Sequence, residues 1–201
     1  MRYVLILSVV ATFLFLVSSV NGRVKDTPHN LNTAGIAVEH QEVCRPCHTP
    51  HSAQKDTPLW NHELSSATWT LFEKADRQSL LDSGTRLCLS CHDGTVAIDS
   101  YGAASGTTFI PDAANLGTDL TTSHPIGVMY PTSGTSFNLA DSSGKIIDPI
   151  ETPTGQYARL KNGTIQCSSC HSAHYSKANY GQFLRVDNTG SKLCMTCHAS
   201  K

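Results

Sequence analysis

Cys167-Ser168-Ser169-Cys170-His171-Ser172-Ala173-His174, followed by Leu193-Cys194-Met195-Thr196-Cys197-His198, is the stretch on which the reading of this chain turns. Its Cys-x-x-Cys-His unit also occurs at Cys44-Arg45-Pro46-Cys47-His48 and Cys88-Leu89-Ser90-Cys91-His92, so all eight cysteines form four pairs of one kind. Residues three and four apart share a face of a helical turn, which presents two thiols and an imidazole together. Cys-x-x-Cys-His is the attachment signature of c-type haem. Each thiol can form a thioether with a haem vinyl group, and the adjacent histidine lies under the iron. The expectation is four covalent haems on Cys44 and Cys47, Cys88 and Cys91, Cys167 and Cys170, and Cys194 and Cys197. Their proximal ligands would be His48, His92, His171 and His198.

Three other chemistries use paired cysteines: disulfides in an exported chain, a zinc site built from two pairs, and a thioredoxin-like redox motif. None of them requires a histidine directly after the second cysteine, and here all four pairs have one.

The four motifs form two related pairs. The first of each pair runs on to another histidine, Cys-His48-Thr-Pro-His51 and Cys-His171-Ser-Ala-His174. The second is approached in the same way, Ser83-Gly-Thr-Arg-Leu87-Cys88 against Thr189-Gly-Ser-Lys-Leu193-Cys194. This is an internal repeat. We therefore expect a signal peptide over 1–22, an N-terminal diheme module with its arm over 23–100, a connecting segment over 101–160 and a C-terminal diheme module over 161–201. Ser65 to Asp82 has partly helical periodicity, with Gly84 as its expected C-terminal stop. Tyr157 to Gln166 reads as a hairpin about an Asn162-Gly163 turn.

The N-terminus, Met1-Arg2 with an apolar run from Tyr3 to Val17 and small residues to Gly22, reads as an export signal. The run is shorter than the roughly 20 residues of a spanning helix. No membrane span is expected once the signal is cleaved, which leaves an exported chain. The whole sequence carries 15 Lys and Arg against 16 Asp and Glu and has no basic stripe, so nucleic acid is not an expected partner. Beyond its cysteines the chain is thinly apolar and rich in Gly, Ser, Thr, Pro and Asn, so its own side chains fill a centre poorly. The expected fold is mostly irregular coil with short helices and few strands, its core formed by stacked haems.

Ten histidines less four proximal ones leave six for the distal positions. His51 and His174 are placed to reach a neighbouring haem. His124, stiffened by Pro125, and His29 complete the expected set, with His62 as the alternative. His40 reads as a surface residue, and Met129 becomes unnecessary as a ligand. Saturated irons favour electron transfer over catalysis, because no iron is open to substrate.

The segments His29-Asn-Leu, Cys-His48-Thr-Pro-His51, Pro58-Leu-Trp-Asn-His62, Leu87-Cys-Leu-Ser-Cys-His-Asp-Gly-Thr-Val-Ala97, Ser-His124-Pro-Ile-Gly and Asn162-Gly-Thr-Ile-Gln-Cys-Ser-Ser-Cys-His171 resemble, in order, the paired Cys-x-x-Cys-His cytochromes of metal-reducing bacteria. In particular the chain resembles their tetrahaem extracellular filament-forming members. The resemblance implies bis-histidine haems in a continuous stack, and a homopolymer in which one distal histidine crosses to the next subunit. His29 is the expected crossing residue, with His62 as its competitor. The function implied is long-range electron transfer, as an extracellular filament subunit or a monomeric periplasmic carrier, with other redox proteins and external metal oxides as partners. An enzyme is not expected. The remaining alternative, a multihaem reductase, would need an open iron.

Overall fold

The computed structural model describes residues 23–36, 38, 41–51, 53, 59–74, 77–147, 156–174 and 183–199. The expected signal segment and His40 lie outside them. The chain is mostly coil punctuated by short elements, as its composition predicts. Among the described residues three α-helices occur: α1 (Ser83–His92), α2 (Cys167–Cys170) and α3 (Lys192–Cys197). Two antiparallel two-stranded ladders accompany them. Strand β1 (Val128–Met129) pairs with β4 (Thr164–Ile165), and β2 (Lys145–Ile146) pairs with β3 (Ala158–Arg159).

Each helix belongs to a Cys-x-x-Cys-His motif, and even the first motif, which lacks one, closes as a helical turn. The amide of His48 donates to the Cys44 carbonyl at 2.8 Å, that of His171 to Cys167 at 3.0 Å and that of His198 to Cys194 at 2.8 Å. α1 starts where the Asp82 carboxylate accepts the Thr85 amide at 2.7 Å, a side-chain N-cap. This corrects the expectation for Gly84, which lies in the first turn of α1 rather than ending a preceding helix. Short 3-10 turns form at Phe72–Lys74 and Gln78–Leu80, and residues 65–71 form no helix. Their apolar side chains are drawn into the core one by one, because the chain has too few apolar residues to sustain an amphipathic face.

The Asn162-Gly163 turn forms as expected, with φ of 51° and 73°, and Lys161 and Thr164 exchange both hydrogen bonds across it. Positive φ at both central residues is the requirement of a tight hairpin turn, which Asn and Gly meet at least cost. The hairpin extends no further: β3 turns away to β2 and β4 to β1.

Apolar burial is split into three small clusters. Trp69, Leu71, Leu81, Leu89 and Leu120 make one; Tyr130, Ile146, Ala158 and Ile165 a second; Ile36, Val38 and Ile98 a third. Ile126 touches the first two. Cys197 packs on the second cluster and Cys91 on the third, so attachment cysteines line the edges of these cores. The segment 101–160 supplies Leu120, Tyr130 and Ile146, and so packs on the motif-bearing elements before and after it. Within the described residues, no helix is long and apolar enough to cross a membrane.

Candidate haem-binding site

All eight cysteines are free thiols. Burial first, then the charges of neighbouring thiols, holds several of them above the ordinary thiol range: Cys47 at about 11, Cys91 at about 12 and Cys170 at about 11. Cys167, next to Cys88 and Thr85, is instead held below that range. Among the described residues, no group of three or more His, Cys, Asp or Glu side chains is arranged to hold a metal ion. The thiols influence one another across consecutive motifs: Cys91 feels the charge of Cys47, Cys88 that of Cys167, and Cys170 that of Cys197.

The imidazoles form pairs. His48 of the first motif faces His174, with ring centres 5.7 Å apart. His92 of the second faces His29 at 6.2 Å, and His198 of the fourth faces His124 at 6.5 Å. An iron held between two imidazoles sets their centres roughly 6 Å apart. That separation is two metal–nitrogen bonds of about 2 Å plus about 1 Å from each nitrogen to its ring centre. The three pairs have this separation, and each joins a motif histidine to one of the remote histidines expected from sequence.

Ring nitrogens are oriented to match. A metal-bound imidazole generally donates its other N–H to a carbonyl or carboxylate. Nδ1 of His92 contacts the Ala114 carbonyl at 2.9 Å and Nδ1 of His124 the Pro125 carbonyl at 3.1 Å, which leaves Nε2 of each for a metal. Nδ1 of His48 is buried with no partner, the kind of orphan that marks a position designed around a further group. Burial, followed by the charges of His92 and His174, pushes His29 down to about 4 and keeps it neutral, the form that binds metal. Phe183 stacks on its other side at 4.4 Å. The donor set therefore fits covalently bound c-type haem, which the cysteines would anchor and the histidine pairs would ligate at iron.

His62 is placed differently. It is 2% exposed, and both ring nitrogens are engaged, Nδ1 with the Glu63 carbonyl at 2.7 Å and Nε2 with that of Ala97 at 3.1 Å. Its Nε2 also lies 3.5 Å from the Cys91 sulfur. It packs beside an attachment point rather than facing a motif histidine. His51 is exposed, and its Thr49-Pro50-His51 turn is closed by the Thr49 hydroxyl donating to the His51 carbonyl at 2.6 Å. Met129 is 63% exposed, with its methyl against Gly163.

Sequence reading alone passed over Asp93, which follows His92 and is 3% exposed. Its Oδ2 accepts from the Trp69 indole at 2.9 Å and the Ser65 hydroxyl at 2.6 Å, and its Oδ1 from the Thr95 amide and hydroxyl. The Asp-Gly after the motif carried the signal: a carboxylate at a helix C-terminus, where the dipole disfavours it, needs a structural reason.

Residues 159–201 match the family described as Doubled CXXCH motif. That doubled motif is the haem attachment pattern of multihaem c-type cytochromes, and it supports this reading of the chain. No curated protein matches the sequence.

Proposed function

We propose that this protein is a tetrahaem c-type cytochrome that carries single electrons along its four haems. The observation that carries the reading is the set of three imidazole pairs, each joining a Cys-x-x-Cys-His histidine to a distant histidine at a separation one iron would span. When bound, the haems supply one-electron chemistry at iron. The protein supplies the rest: eight thioether anchors, the His92 and His124 rings turned by carbonyl contacts at Nδ1, and small apolar clusters at the attachment edges. His171 completes the set with His51, the counterpart in the repeat of the His48–His174 contact. Paired imidazoles on every iron leave no position for a substrate, which favours a carrier over a reductase.

The finer reading is a filament subunit exported to the cell exterior, passing electrons to other redox proteins and to metal oxides; a monomeric periplasmic carrier is the alternative. His29 sits on an N-terminal arm and faces His92 of its own chain. An arm exchanged between copies would make the same contact across a subunit boundary, the low-cost route by which identical elements swap. The decisive measurement is haem stoichiometry with spin state on the exported protein. Four haems per chain, all low-spin, is the expected result. Fewer than four, or a high-spin iron in the intact protein, refutes the tetrahaem carrier. Images of native particles separate filament from monomer.

A further inference from the structure

The two halves of the chain meet at one buried polar node. Thr85, in the first turn of α1, and Gln166, immediately before α2, are 0% and 1% exposed. The Thr85 hydroxyl donates to Gln166 Oε1 at 2.8 Å and accepts the Cys167 amide at 3.2 Å. Gln166 Oε1 also accepts the Asp82 amide at 3.2 Å, while its Nε2 donates to the Leu80 carbonyl at 2.7 Å and the Thr164 hydroxyl at 2.8 Å. Donors and acceptors are all satisfied, across more than 80 positions of sequence. A node of this kind selects one geometry, because any slippage leaves buried groups unpaired. Cys88 stands one turn beyond Thr85 and Cys167 directly follows Gln166, and the two helices that carry these cysteines, α1 and α2, pack against each other.

We propose that Thr85 and Gln166 are positioning residues for the electron step between the two halves of the molecule, pinning the attachment points at Cys88 and Cys167 side by side. This rests on the tetrahaem reading and deepens it. It assigns a crossing between the two halves to the second and third haems, in addition to the approach of the first and third that the His48–His174 pair makes. In the crossing, the electron lost by the haem on Cys88 is the one gained by the haem on Cys167, and no atom or proton changes place. Thr85 and Gln166 themselves touch neither iron; they act through the backbone that carries the two cysteines.

The test uses the loaded, full-length protein and the variants Thr85→Val and Thr85→Ser. In the fully reduced state, proton NMR is expected to show a through-space cross-peak between the Cys88 and Cys167 β-protons. Thr85→Val should abolish that cross-peak and speed exchange of the Cys167 amide roughly ten- to a hundredfold, the effect of one lost buried hydrogen-bond acceptor. It should also slow electron exchange between the second and third haems while leaving first–second and third–fourth exchange unchanged. Thr85→Ser, which keeps the hydroxyl, should restore all three. A cross-peak and exchange rate unaltered in Thr85→Val overturn the proposal while the haem count leaves the tetrahaem reading intact. If Thr85→Val fails to load haem, the wild-type protein decides: absence of the Cys88–Cys167 cross-peak, or a Cys167 amide that exchanges as fast as open loops, overturns the proposal.

Discussion

Asp93 offers the sharpest quantitative test of how the second motif is held. Asp93→Asn keeps the volume and keeps Oδ1 for the Thr95 amide, but turns the oxygen facing the Trp69 indole into an amide nitrogen. The indole N–H, on a residue 3% exposed, then points at another donor. A buried donor left unsatisfied costs about 1–3 kcal/mol, and the bond lost is charge-assisted, at the upper end of that range. The Ser65 hydroxyl adds little, since it can turn to the Thr95 hydroxyl 2.8 Å away. The expected loss for Asp93→Asn is therefore about 2–3 kcal/mol. Trp69→Phe removes the indole donor and leaves a smaller ring, at about 1–2 kcal/mol. In the double variant the donor clash is gone, so the two losses should fall short of additive by about 1–2 kcal/mol. Denaturant unfolding of the four proteins, followed by far-UV circular dichroism, measures the cycle. Losses that add within about 0.5 kcal/mol would mean that the pair does not interact, and the network reasoning fails.

The two candidate distal histidines with opposite environments should separate cleanly. His124 is exposed, with one carbonyl contact, so His124→Ala should change unfolding stability by no more than about 0.5 kcal/mol while converting one haem in four to high spin. His62→Phe should do the reverse, costing about 2–3 kcal/mol with every iron still low-spin. Electron paramagnetic resonance and unfolding curves on both variants check this, and a high-spin iron in His62→Phe would overturn the assignment.

The sequence by itself determined the attachment chemistry, because a Cys-x-x-Cys-His motif is local: one helical turn brings its three side chains together whatever surrounds it. The same locality made the Asn162-Gly163 turn legible, and composition alone foretold a mostly irregular chain with few, short elements. Pairing was not local. Which remote histidine faces which motif depends on contacts such as His48 with His174, more than a hundred residues apart, and only the folded chain sets them. His62 shows the limit from the other side. Its aromatic neighbours in sequence suited a ligand as well as a core residue, and the tertiary structure gave both its nitrogens to backbone carbonyls. Gly84 was misread for a related reason. Glycine tolerates both ends of a helix, and the Asp82 side chain bonded to the Thr85 amide decides which end this is. The Thr85–Gln166 node was invisible in sequence because its hydrogen bonds exist only where the two halves of the chain meet.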